Sequence, residues 1–276
     1  MQHAISLAVS FIIDSETEIG LNMTKLFSVL ALSTVTSISV ANENDAIQDM
    51  SDPLAVYTQI GMGYTDRGLN LKLGQTFDTG NENTMGMNVF ELKGIMGEAF
   101  SWDDDANNSV DSFRFRRFGA DLTNGRGSQI DANYDFANES GTLSYSVIQA
   151  IPRIGLIEFY PLAGVGASFG NNVIGDNGDV ISGYSIPGTF AVIGTYGKLN
   201  ITDKIWLNYN PMWMSTLSGS DNFNNQGMAG ESELFAHEFA ASYQINPRLN
   251  VRYFANWTEH DDFMDGEHRL EVNYQL

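Results

Sequence analysis

The chain has 276 residues, 27 Gly, 6 Pro, no Cys and a formal charge of −20. Without cysteine there is no disulfide or thiol chemistry, and the acidic balance argues against nucleic acid as a partner. Nowhere are there the roughly 18 uninterrupted apolar residues that a membrane-spanning helix needs.

The first 41 residues read as targeting rather than fold. Met23-Thr24-Lys25 followed by Leu26-Phe27-Ser28-Val29-Leu30-Ala31-Leu32 has the charged and apolar regions of a secretory signal, and Ser39-Val40-Ala41 is a small-x-small cleavage site. We expect residues 23–41 to be the signal peptide, 1–22 an upstream extension from an early start, 42–55 a polar periplasmic lead-in, and 56–276 a single β domain.

From Val56 the sequence alternates apolar and polar residues, the signature of half-buried strands. Val56, Thr58, Ile60, Met62 and Tyr64 oppose Tyr57, Gln59, Gly61 and Gly63; after the turn Asp66-Arg67-Gly68, Leu69, Leu71 and Leu73 oppose Asn70 and Lys72. A third strand sets Phe90 and Leu92 against Glu91 and Lys93. The fourth starts with Phe113 and Phe115 against Arg114 and Arg116, then changes parity at Arg116-Arg117, so a β-bulge is expected there. The fifth alternates best: Ile130, Ala132, Tyr134 and Phe136 against Gln129, Asp131, Asn133 and Asp135. Leu143, Tyr145 and Val147 follow, then a less regular strand at 156–169 and a long loop at 171–187. Phe190, Val192, Gly194 and Tyr196 share a face of the eighth strand, and the ninth, carrying Pro211, should be bulged or broken at that residue. The last strands set Phe235, His237 and Phe239 against Glu238, Leu249, Val251 and Tyr253 against Arg252, and Leu270, Val272, Tyr274 and Leu276 against Arg269, Glu271, Asn273 and Gln275.

The terminal stretch His268–Leu276, alternating to an apolar final residue with an aromatic two positions before it, resembles the last strand of bacterial outer-membrane β-barrels. That resemblance implies a C-terminus at the periplasmic rim, read by the barrel assembly machinery. The rest of the chain agrees: about 12 strands (within a range of 10–14) have the length that a tilted spanning strand requires. Counted back from the C-terminus, the connections at 246–248, 202–204, 152–155 and 123–127 are short and those at 258–267, 218–232, 171–187 and 101–109 are long, the periplasmic and outer pattern of such barrels. The turn at 66–68 and the connection at 78–87 break that pattern. Tyr57, Tyr64, Phe77, Phe100, Tyr134, Phe136, Tyr160, Tyr243, Trp257 and Tyr274 are candidates for interfacial girdles. A soluble β-sandwich alternates similarly but uses shorter strands. The expected fold is therefore all-β, an antiparallel transmembrane β-barrel.

In a barrel the polar face looks into the lumen. Lys72, Lys93, Arg114, Arg116, Arg252 and Arg269 fall on strands that are neighbours once the last pairs with the first, which predicts a basic arc. Asp131, Asp135 and Glu238 would face it, with Glu271 at the seam. Opposed charges across a constriction set ion selectivity. The architecture resembles the small monomeric 12-stranded porins that pass acidic oligosaccharides along arginine tracks, which implies a diffusion channel for small hydrophilic, anionic solutes, without cofactor or metal. The same residues would also serve as local ion pairs filling a narrow lumen. A plugged structural or binding barrel and a rim hydrolase using His260 or His268 are the alternatives. Outer-membrane lipid, lipopolysaccharide and small solutes are the expected partners. The acid runs Asp103–Asp105 and Asp176/Asp179 lack the ordered ligand spacing of a calcium loop.

Overall fold

The computed structural model describes residues 47–101 and 108–276; the expected upstream extension and signal peptide, residues 42–46 of the expected lead-in and Asp103–Asp105 lie outside the described residues. Among the described residues thirteen strands form one antiparallel sheet: β1 (Gln59–Thr65), β2 (Gly68–Phe77), β3 (Thr84–Ile95), β4 (Ser112–Asp121), β5 (Arg126–Asp135), β6 (Ser140–Gln149), β7 (Ile157–Ile174), β8 (Val180–Asn200), β9 (Ile205–Tyr209), β10 (Met212–Gly219), β11 (Glu233–Asn246), β12 (Leu249–Thr258) and β13 (Glu267–Gln275). The sheet closes because β13 pairs with β1, from Gln59 opposite Gln275 to Thr65 opposite Arg269. β9 and β10 are halves of one staves-length strand, so the result is a 12-strand barrel. β1 begins and β13 ends at one rim, which we call the terminal end; the other is the loop end.

The interruption at Pro211 is a gap in the ladder without a shift of register. Tyr209 faces Gly197 and Phe239, and Met212 faces Gly194 and Ala236, three residues further on every strand. Pro211 lacks an N–H but still accepts a bond from Thr195 N, at 3.2 Å. The strand is thus broken as expected there, without a bulge.

The bulge expected at Arg116-Arg117 is absent. β4 pairs residue by residue with β3 from Ser112 to Asp121, and with β5 over the same span. Arg114, Arg116, Phe118 and Ala120 consequently share the inward face, and Arg117 points outward. A bulge lies instead on β3, where the register with β2 slips between Leu69/Ile95 and Leu71/Leu92. Gly94 takes φ +70° there, its N–H accepted by Asn70 Oδ1 at 3.1 Å, a backbone shape that favours glycine. The loop expected at 171–187 is mostly strand: β7 and β8 run to Ile174 and Val180 and close over a 3₁₀ turn at Asp176–Gly178.

Burial is inverted relative to a soluble protein. On β13, Leu270 and Val272 are 51% and 41% exposed while Glu271 and Asn273 are 3% and 1% exposed. Ile60, Met62, Leu71, Leu143, Val147, Val165 and Ile193 continue this exposed apolar band around the wall. Two short helices sit at the loop end: α1 (Gly97–Phe100) after β3, and α2 (Asp221–Gln226), capped by Ser220 accepting from Phe223 N. Phe223 of α2 and Met228 turn inward onto Phe190, Leu234 and Met214, an apolar cluster inside the wall of β8, β10 and β11.

The second inner apolar region is built by the segment before β1. Val56 packs with Met87, Val89 and Ala120, and Leu54 joins both that cluster and the one formed by Ile148, Tyr160 and Leu162. Asp49 approaches Lys198 of β8 at 3.8 Å; Met50 Sδ receives Asn250 Nδ2 at 3.7 Å; Tyr160 donates to Asp52 at 3.5 Å. The Gln275 carboxamide pairs with both backbone groups of Gln48, at 3.0 and 3.2 Å. Residues 48–56 therefore cross the interior and touch β3, β4, β6, β7, β8, β12 and β13. Tyr160, expected in an outer girdle, faces inward onto this segment and is 7% exposed.

Candidate functional site

β1 is where the interior charge network is assembled. Its inward positions Gly61 and Gly63 have no side chain, so groups from β2 and β13 meet above it. A Cβ at Gly61 would lie 2.6 Å from Asn273 Oδ1 and 3.3 Å from Lys72 Cβ; one at Gly63 would lie 3.1 Å from Arg269 Cδ. Across that gap Lys72 forms an ion pair with Glu271 and donates to Asn273 Oδ1 at 3.2 Å. Arg269 pairs with the same carboxylate at 3.2 Å and lies over the Phe254 ring, whose other cationic neighbour is Arg252 (4.3 and 4.6 Å to the centroid). One buried acid thus holds two cations, an arrangement that offsets the cost of removing all three from water.

A second group sits on β3, β4 and β5. Arg116 pairs with Glu91 at 2.6 Å, and Arg114 grips Asp131 with Nε at 2.9 Å and Nη2 at 2.5 Å, a bidentate fork. Gln129 supports Asp131 at 3.0 Å. A cavity of about 10 Å³, room for one water, lies between the two groups, lined by Asn70, Lys72, Glu91, Lys93, Arg269 and Glu271.

All the sequence-predicted residues lie on the inward face, but the arrangement differs from two opposed walls. Glu91, Asp131 and Glu271 sit beside the cations and neutralise them locally. Lys93 and Arg252 are the exceptions. Among the described residues the Lys93 ammonium has no hydrogen bond or ion pair, and Arg252 is held by neutral groups, Ser242 Oγ and Asn208 Oδ1, both at 3.0 Å. Glu238, on the far side, receives Asn210 Nδ2 at 2.7 Å and no cation. Asp135 accepts from Asn138 N at 2.8 Å, near the loop end.

Sequence reasoning did not single out Asn208, Asn250, Asn273, Phe254 or Lys198. The two asparagines of β12 and β13 hydrogen-bond to each other at 3.2 Å and are both 1% exposed; their parity placed them inward, and charge alone drew attention away. Nothing in the alternation marks Phe254, an apolar residue among inward polar ones. The histidines take other places. His237 and His268 lie on the outer face near the loop end, stacked with Trp257 and Tyr253 and accepting or donating through Nδ1 to Tyr209 (2.8 Å) and Tyr253 (2.7 Å). His260 is exposed beside Glu259 at 4.0 Å.

No family model and no curated protein matches the sequence. Solved structures do. The NanC porin aligns with TM-score 0.51 and 9% identity over 79% of this chain and 100% of its own. The translocator domain of autotransporter NalP from Neisseria meningitidis gives 0.46 and 13% over 91% and 98%, and the KdgM porin in complex with disordered oligogalacturonate 0.43 and 8% over 80% and 99%. The NanC alignment shows a shared fold. With an apolar exterior, a charged interior and no open sheet edge among the described strands, the chain has the porin-like fold of a membrane-spanning β-barrel.

Proposed function

We propose that this barrel is a non-enzymatic channel for passive diffusion of small hydrophilic solutes, with a preference for anions. The observation that carries the reading is the interior belt of charge, in which Lys93 and Arg252 are left without carboxylate partners while Glu91, Asp131 and Glu271 are neutralised. Such a belt favours a passing anion over a cation. Lys72, Lys93, Arg114, Arg116, Asp131, Asp135, Glu238, Arg252, Arg269 and Glu271 would be the pore-lining groups. Carboxylated or oligosaccharide solutes suit this chemistry, in keeping with the oligogalacturonate of the KdgM porin.

The segment at 48–56 would be the obstruction that sets the conducting state. It meets the walls through one ion pair, a few hydrogen bonds and two small apolar clusters. A plugged structural or binding barrel is the competing reading, favoured by the same segment if it never leaves. The signal peptide, insertion through recognition of the terminal strand, and contact of the acidic outer loops with lipopolysaccharide complete the proposal. Single-channel recording in planar bilayers tests it: steps of conductance with a reversal potential on the anion side are expected, and an electrically silent barrel would sink the channel reading.

A further inference from the structure

The outer face of the barrel carries one polar feature that the lumen does not use. Arg117 and Arg126 are the only Lys or Arg on the outward face of the described strands, and Arg126 is the first residue of β5, at the rim itself, so Arg117 is the one set within the wall. Arginine on a lipid-facing surface costs about 2–4 kcal/mol at the bilayer midplane and nearly nothing at the interface. Arg117 is four residues from Asp121, where β4 ends, or about 10 Å from the terminal rim at the rise and tilt of barrel strands. It also reaches rimward: its guanidinium lies over the Phe77 ring, 3.9 Å from the centroid, at the end of β2. That places the charge at the depth of lipid headgroups in the terminal-end leaflet.

A groove of about 330 Å³ opens beside it, lined by Phe77, Asp78, Arg117, Gly119, Ser128, Ile130 and Tyr145. Glycines make it. The Phe77 ring lies on Gly86, where a Cβ would come within 2.3 Å of Cζ, and Gly119 leaves the next position bare, with only Ser128 Oγ nearby at 3.3 Å. Ile130 and Tyr145 form the far wall, exposed and apolar. Arg117 has five N–H donors, and one goes to Asn88 Oδ1 at 3.2 Å. Asp78 uses Oδ1 to cap Gly80 N at 2.8 Å, which leaves Oδ2 open.

We propose that this groove is a binding site for a zwitterionic glycerophospholipid with a primary ammonium headgroup. The phosphate meets Arg117, the ammonium meets Asp78, and an acyl chain lies over Gly119 between Phe77 and Tyr145. A cation and an anion side by side at the mouth of an apolar groove match a phosphate-ammonium pair; an anionic headgroup would satisfy Arg117 and be repelled by Asp78. The site is independent of conduction.

Native mass spectrometry of the purified barrel tests this, with dioleoyl phosphatidylethanolamine, phosphatidylcholine and phosphatidylglycerol added in turn. One phosphatidylethanolamine adduct is expected, about tenfold weaker in Arg117→Gln, the loss of one charge-assisted hydrogen bond. Gly119→Leu, which fills the groove and keeps both charges, should weaken it similarly, and Asp78→Asn should erase the preference over phosphatidylcholine. Heat-dependent gel mobility checks that each variant is folded. Equal adducts in wild type and folded variants, a preference for phosphatidylglycerol, or an Arg117-dependent dimer with no lipid adduct would each overturn the proposal.

Discussion

Lys72 and Glu271 form an ion pair over Gly61, on the strand between them, although 199 positions separate them in the chain. Asn273 and Lys72 leave no room for a side chain at Gly61. Gly61→Val should therefore push the pair apart and leave Glu271 with Arg269 alone. The expected loss is about 3–5 kcal/mol, the cost of breaking a buried pair. Urea unfolding in detergent micelles, followed by tryptophan fluorescence, measures it. A Lys72→Met/Glu271→Leu double variant should lose less than the sum of the two single changes, because Arg269 is orphaned once in each variant that lacks Glu271; additive losses would show that the pair is not coupled.

Ion selectivity separates the cations into two kinds. Lys93→Gln and Arg252→Gln remove positive charge without orphaning an acid, so they should move the reversal potential toward cations at little cost in stability. Charge reversal at Arg114 and Arg116 should move it further, but leaves Asp131 and Glu91 facing new acids and should lower the unfolding midpoint. An unchanged reversal potential in all four would refute the interior belt as the selectivity element.

Removal of residues 42–55 should raise single-channel conductance several-fold while the barrel stays folded. A milder version is Leu54→Asp, which places a charge between the two inner apolar clusters and should increase the open fraction. Asp49 gives this docking a pH limit. Burial raises its pKa, but the Ser51 hydrogen bonds and the Lys198 charge outweigh that and hold it below the ordinary 3.8. A depressed carboxylate contributes stability above its unfolded value and loses it as pH falls through the folded one. Docking should thus be insensitive to Asp49 titration at pH 5–8, and opening through this group should appear only below about pH 4.

Asp111 behaves in the opposite sense. Burial raises its pKa, with Asp135, Asp66 and Glu267 adding to the effect against Arg67. Its carboxylate rests on Gly94 at the β3 bulge. For a raised group the stabilising contribution is complete below the unfolded value and is lost as pH climbs through the folded one. Relative to Asp111→Asn, the wild type should gain stability between pH 7 and pH 4. Paired thermal melts at the two pH values read this difference, and parallel shifts in both proteins would refute it.

Much of the barrel was legible because the period-2 pattern and the lipid exterior impose one rule, apolar outward. β13 obeys it throughout, and β5 does so from Gln129 onward. The rule failed where the interior is itself apolar. Phe118 and Ala120 look outward-facing by composition, and that suggested a bulge at Arg116-Arg117. They point inward because Val56 and Leu54 cover them. Tyr160 was misplaced for the same reason. Alternation shows which residues share a face, but it cannot report that a segment outside the strands occupies the interior. Likewise, charge placement predicted a basic arc, whereas the pairings that neutralise it depend on the bare positions of β1 and on register.

The segment at 48–56 gives this membrane protein two hydrophobic solvents. The outer band gains its stability from lipid, whereas Leu54, Val56, Met87, Val89 and Ala120 are held together by exclusion of water, as in a soluble core. The two respond differently to temperature. Aqueous apolar burial weakens on cooling and carries a heat-capacity change; the lipid-facing wall has no such dependence at that interface. Chilling the barrel should therefore loosen its inside before its wall.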